Sequence, residues 1–227
     1  TPAEAAEGCH IVFMCVGNDK DVEQVVRGDN GIMSSIPENS IIVDHTTASA
    51  KIAVELNKYC KENKNVSFMD APVSGGQAGA ENGQLTIMIG GDNTTYNTIQ
   101  PLLNSYAKNS TLIGNSGSGQ LAKMMNQICI AGLLQGLAEA INFGQKANLD
   151  IEKVIGVIKD GAASSWQMEN RYKTMVKDEF DFGFAVEWMR KDLKICLEQA
   201  DEVGARLPVT AIIDQFYSNV LEIGGKR

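Results

Sequence analysis

The sequence is poor in the residues that metal and redox sites require. Its 227 residues include two histidines, His10 and His45, and five cysteines, Cys9, Cys15, Cys60, Cys129 and Cys196, scattered singly with no Cys-x-x-Cys pair. Two histidines are too few for a His-based cluster, so no metal site is expected. An odd number of isolated thiols is the usage of a reducing compartment such as the cytoplasm or the mitochondrial matrix. Positive charge is also short: 20 Lys and Arg against 28 Asp and Glu leave a net charge of −8. Nucleic acid and anionic membrane surfaces both demand basic patches, which argues against either as a partner. The most apolar run, residues 128–138, holds Gln135 and is closed by Glu139. It falls short of the roughly 20 apolar residues that cross a bilayer, so no spanning segment is expected. Residues 1–8 are acidic and alanine-rich, without the cationic region of a targeting peptide. They read as the end of an amphipathic helix, and a preceding segment is expected.

Apolar residues make up 44% of the chain, enough for one large or two smaller buried cores. Residues 9–16 form a short apolar run before Gly17-Asn18-Asp19. A second at 40–43 ends in Asp44-His45-Thr46-Thr47, and a third at 66–69 ends in Asp70-Ala71-Pro72. Helical patterns at 22–27 and 49–61 separate them, the alternation of an α/β domain with a parallel sheet. Such sheets bind ligands outside the carboxyl ends of their strands. The candidate loops therefore hold Gly17-Asn18, Thr46-Thr47 and Val73-Ser74-Gly75-Gly76. A strand at 85–89, a helix at 96–106 and a short strand at 111–113 lead to a glycine loop at 114–119. From about 120 to 147 apolar residues recur at helical spacing. Only helices follow, at about 151–159, 165–175, 186–203 and 208–221. The expected organisation is a sheet domain over 1–118 and an all-helical domain over 119–227, joined by the long helix.

Three polar constellations stand out. Lys123 lies three residues before Asn126 and four before Gln127, which places an amine and two amides on one helical face. Taken alone, such a face is most simply solvated. Ser74 offers a hydroxyl, and Gly75 and Gly76 offer bare backbone N–H groups, a set that suits a carboxylate; the plainer alternative is a turn after a strand. Lys191 and Asp192 sit in a later helix, where a solvated face is again the plain reading. Met168, Phe182, Phe184 and Trp188 are candidates to line a pocket, although Met and aromatic residues in helices more often belong to a core.

Together, Asp-Ala-Pro-Val-Ser-Gly-Gly at 70–76, Gly114-x-x-Gly-x-Gly-x-x-x-Lys123-x-x-Asn126 and Lys191-Asp-Leu193 resemble the β-hydroxyacid dehydrogenases, in that family's order and spacing. The resemblance covers essentially the whole chain. It implies a partial Rossmann-like sheet domain followed by a helical domain. The implied activity is hydride transfer between NAD or NADP and a small 3-hydroxy acid or semialdehyde. Lys123 would be the general acid/base, with Asn126 and Gln127 beside it; the family usually carries asparagine where this chain has Gln127. Ser74, Gly75 and Gly76 would hold the substrate, and Val16, Gly17, Thr47 and Lys191 the cofactor. A homo-oligomer, dimer or tetramer, is implied as well. A lysine acting as base must be neutral, so a pocket that desolvates Lys123 is expected to lower its pKa. The rival from another class is a non-catalytic binding or scaffolding protein of the same fold. One departure concerns the cofactor: no Gly-x-Gly-x-x-Gly follows the first strand, although that fingerprint holds the pyrophosphate in such folds. The expectation is an N-terminally incomplete chain with an exposed sheet edge.

Overall fold

A computed structural model describes residues 1–180 and 183–226. The chain divides into two compact units, Thr1–Met125 and Asn126–Arg227. The boundary falls inside the long helix, not at its start.

In chain order the first unit contains α1 (Pro2–Ala6), β1 (Ile11–Met14), α2 (Asp19–Arg27), α3 (Ile32–Ser35), β2 (Ile41–Asp44), α4 (Ala50–Lys64), β3 (Ser67–Asp70), β4 (Val73–Ser74), α5 (Gly76–Glu81), β5 (Leu85–Gly90), α6 (Asn93–Leu103), β6 (Ala107–Gly114) and the start of α7 (Ser118–Lys146). Strands β1, β2 and β3 pair in parallel, with Met14, Asp44 and Asp70 at equivalent positions at their carboxyl ends. The alternation of side chains gives the sheet two apolar faces. Ile42 and Phe68 join Val22, Val26, Ile36 and Leu56 in one core, while Val43 and Met69 join Ile87, Ile89, Ile99 and Leu103 in the other. Helices therefore cover both sides, the arrangement that near-continuous apolar strands demand.

Two sequence expectations need correction. The sheet is mixed, not purely parallel: β5 runs antiparallel to both β3 and β4, and parallel to β6. Between β4 and β5 lies only the six-residue α5, too short for the crossover that a parallel pair requires. The second concerns spanning segments. α7 has 29 residues and a mean hydropathy of 1.2 over its most apolar 18, which by length and composition alone would let it cross a bilayer. An uninterrupted apolar run was the wrong measure, because isolated polar residues on a long helix leave its mean hydropathy high. β1 lies at a sheet edge, and Phe13 on it is 41% exposed.

The second unit contains the rest of α7 followed by α8 (Ile151–Ile158), α9 (Trp166–Val176), α10 (Val186–Val203) and α11 (Pro208–Glu222). Leu137 and Ile141 of α7 pack with Ile155 and Met168, and Ala131 packs with Leu193 and Ile213. α7 thus contributes to both of these apolar clusters. Asp150 and Ser165 cap α8 and α9, each accepting from the backbone N–H three residues on. α10 ends at Gly204 with φ of +73°, a left-handed cap that glycine adopts without steric cost.

Candidate functional site

The carboxyl ends of β1 and β2 are tied together. The His45 N–H donates to the Met14 carbonyl at 2.8 Å, and the Val16 N–H donates to Thr46 Oγ1 at 2.9 Å. His45 reaches further, with Nδ1 2.6 Å from the Ala71 carbonyl and Nε2 2.8 Å from the Tyr106 hydroxyl. A carbonyl can only accept, so Nδ1 carries the proton and Nε2 accepts from Tyr106. Burial pushes the His45 pKa down, in keeping with that neutral tautomer, and pushes the Tyr106 phenol up to about 12. Val16, Gly17 and Thr47 stay partly exposed around this junction. The first turn of α2 already holds Asp19 and Asp21, and Asn18 caps it through the N–H groups of Lys20 and Asp21. Two carboxylates there repel a phosphate.

Asp70, at the end of β3, is fully buried. Its carboxylate accepts the backbone N–H of Gly117 at 2.7 Å and of Gln120 at 3.0 Å. It therefore satisfies orphan donors at the start of α7, the role usually played by a capping side chain next to the helix in sequence. Burial pushes the Asp70 carboxyl up, while the Gly117 and Gln120 N–H groups pull it down. Glycines make room for it: a Cβ on Gly90 would lie 2.6 Å from either carboxylate oxygen, and one on Gly119 2.6 Å from the Asp70 carbonyl. Gln120 forms the other tie. It is 1% exposed, its Oε1 accepts from the Ala48 N–H at 3.0 Å, and its Nε2 donates to the Thr46 carbonyl at 2.7 Å. The backbone on both sides of Thr47 is thereby fixed to α7.

Lys123 lies one turn beyond Gln120 and is 7% exposed. Lys123 and Gln127 of the polar stripe on α7 are buried and Asn126 partly so, where the plain reading held a solvated face. Ser74, in the two-residue β4, is partly buried, pairs with Thr86 and leads into Gly75 and Gly76, with φ of +132° and +62°. The Gly75 angle lies where only glycine is at ease and the Gly76 angle in the left-handed region that favours it. Asp70 thus connects the two sets of candidate residues. Its backbone leads through Ala71-Pro72 to Ser74, and its side chain holds the turn of α7 that precedes Lys123.

In the second unit, the Asn126 amide donates to Gln127 Oε1 at 2.9 Å. Gln127 is 4% exposed and donates through Nε2 to Asp192 Oδ2 at 2.6 Å. Lys191 Nζ lies 3.2 Å from Asp192 Oδ1 and 5.8 Å from the centre of the Trp188 ring. The solvated-face reading fails for Asp192, which is buried. Met168 belongs to the core beside Leu137 and Ile141. Phe184 and Trp188 are exposed in large part, and Phe182 lies outside the described residues. Sequence reasoning placed Thr46 in a candidate loop and Asp70 and Asp192 in motifs, but gave none of them, nor Gln120, a partner. Gln120 had a legible signal, a long amide three residues before Lys123 on an apolar helix. The others did not, because their partners lie 30 to 65 residues away.

Residues 1–114 match the family model described as the NAD binding domain of 6-phosphogluconate dehydrogenase. Residues 117–227 match the one described as NAD-binding of NADP-dependent 3-hydroxyisobutyrate dehydrogenase. With the sheet and helical units, they define an NAD(P)-dependent oxidoreductase acting on hydroxy acids, with NAD or NADP as its cofactor. The chain belongs to the β-hydroxyacid dehydrogenase family. It is 56% identical to an uncharacterized oxidoreductase of Shewanella frigidimarina, over 100% of this chain and 78% of that protein. It is 33% identical to the 2-hydroxy-3-oxopropionate reductase of Escherichia coli, over 100% of this chain and 77% of that one. Its fold matches the crystal structure of a 3-hydroxyisobutyrate dehydrogenase from Salmonella typhimurium with a TM-score of 0.87 at 25% identity, covering 100% of this chain and 79% of that one.

Proposed function

We propose that the protein moves a hydride between NAD(P) and a small 3-hydroxy acid, the semialdehyde being the oxidised form, with Lys123 as general acid/base. The observation that carries this is the burial of Lys123 on a helix whose start is clamped by the same Asp70 that leads into the Ser74 loop. In the oxidation direction Lys123 Nζ takes the proton of the 3-hydroxyl as that carbon becomes a carbonyl; in reduction it returns the proton. The nicotinamide supplies the acceptor for the hydride on the same carbon. The Ser74 hydroxyl and the N–H groups of Gly75 and Gly76 hold the carboxylate, fixing which carbon faces Lys123. Asn126 hydrogen-bonds the substrate one turn further along α7. The loops bearing Val16, Gly17 and Thr47 would bound the nicotinamide. Related 2-hydroxy-3-oxopropionate reductase chemistry supports the substrate class.

Replacing Lys123 by methionine keeps the volume and removes the amine. Loss of a positioned acid/base is expected to lower kcat by about 10²–10⁴-fold, with NAD(P)H affinity retained in a fluorescence titration of Trp166 and Trp188. Unchanged turnover in Lys123→Met would rule out the assignment.

A further inference from the structure

We infer that His45 is a positioning residue for the carboxylate loop, gripping the chain where that loop leaves the sheet at Ala71 and, through Tyr106, where it returns at Leu85; this rests on the hydride-transfer reading above. All of these residues belong to the first unit. Ala71 and Pro72 have three backbone polar groups between them, since proline lacks an N–H. The Ala71 N–H donates to the Asp44 carbonyl at 2.8 Å, and the Pro72 carbonyl accepts from the Met88 N–H at 3.1 Å. The Ala71 carbonyl accepts from His45 Nδ1 at 2.6 Å, so it is the one of the three held by a side chain. Ala71 is fully buried, and a buried carbonyl deprived of its donor is costly. Three residues on stands Ser74.

The second grip runs through the other ring nitrogen. His45 Nε2 accepts from the Tyr106 hydroxyl at 2.8 Å, and the Tyr106 carbonyl accepts from the Leu85 N–H at 3.3 Å. Leu85 in turn packs against Gly75: a Cβ on Gly75 would lie 3.2 Å from Leu85 Cδ2. Aromatic neighbours set the plane of the imidazole. Phe13 stacks on it with centroids 5.9 Å apart at 19°, and Tyr106 meets it edge-on at 5.7 Å and 82°. The His45 backbone is tied as well, through the N–H that donates to the Met14 carbonyl. One imidazole thus joins the two ends of residues 71–85, the stretch that carries Ser74, Gly75 and Gly76. A proton path through the ring would end at the Ala71 carbonyl, which takes no proton, so the His45–Tyr106 pair holds geometry and moves no charge.

Three variants separate the two grips. The amide of His45→Asn reaches the place of Nδ1, the longer amide of His45→Gln reaches the place of Nε2, and His45→Leu supplies neither. Turnover of glycerate and of 3-hydroxyisobutyrate is measured in the full chain with NAD and with NADP. In His45→Leu the KM for the hydroxy acid is expected to rise about tenfold while kcat moves by less than about threefold, the mark of lost substrate binding and not of lost chemistry. His45→Asn is expected to recover most of that rise and His45→Gln little of it. Amide hydrogen exchange gives a readout that needs no turnover: His45→Leu is expected to speed exchange at residues 73–76 about tenfold and to leave α4 unchanged. A KM that His45→Leu does not move overturns the inference. So does an equal KM in His45→Asn and His45→Leu, or exchange that rises throughout the unit, which marks a purely structural role. Should His45→Leu fail to fold, His45→Asn against His45→Gln decides. Absence of turnover with both acids in the unaltered protein instead defeats the hydride-transfer reading, and the exchange measurement then decides whether His45 holds the loop.

Discussion

Two buried carboxylates serve the same helix in different ways. Asp70 accepts backbone N–H groups at the start of α7, whereas Asp192 accepts a side-chain amide from Gln127, two turns further on. A backbone contact fixes where the helix is, and a side-chain contact fixes how one amide is turned. The difference teaches that burial and charge alone do not assign a role, since both aspartates have each. What each one grips separates them.

If the two carboxylates were equivalent, their removal would cost the same. Asp70→Ala strands two buried N–H groups, and unfolding free energy from denaturant titration is expected to fall by about 3 kcal/mol. An effect below about 1 kcal/mol would show that α7 does not depend on this clamp. A neighbouring aspartate sharpens the point through pH. Asp44 sits level with Asp70 in the sheet, and burial pushes its pKa from 3.8 to about 6, against the pull of its hydrogen bonds from Thr46. The folded state therefore holds the proton more tightly than the unfolded chain. Stability from this group is full below pH 3.8 and is lost as pH rises through 6. Asp44→Asn is expected to remove a fall on the order of 2–3 kcal/mol between pH 4 and pH 8, seen as a melting temperature that gains on wild type as pH rises. Next comes Gln120→Leu, which leaves the Ala48 N–H and Thr46 carbonyl unsatisfied and is expected to cost about 2 kcal/mol. Smallest is Asp192→Asn, where less than about 1 kcal/mol of stability should go because the asparagine oxygen still accepts from Gln127. A larger loss there would place Asp192 with Asp70.

Much of this was legible in the sequence. The strands at β1 to β3 and the helices of the second unit follow from apolar periodicity, because burying a strand or a helix face leaves that mark directly. Lys123 and Ser74 were visible too, as polar residues where periodicity or a strand end gave no reason for them. β6 was less so. It runs over Ala107–Gly114, yet Lys108, Asn109 and Ser110 near its start hide it from any apolar count.

By itself the sequence determined the kind of domain, the family and the residues proposed to carry chemistry, since those depend on local pattern and on side-chain type. Tertiary structure decided the antiparallel turn of β5, the clamp from Asp70 to α7, the hold of Gln120 on the loop around Thr47, and the hydrogen bonds that link Asp192 to Asn126. Each of these is a pairing between residues distant in the chain. Hydrogen bonds of that kind are chosen by which donors and acceptors burial brings together, and no local preference records them.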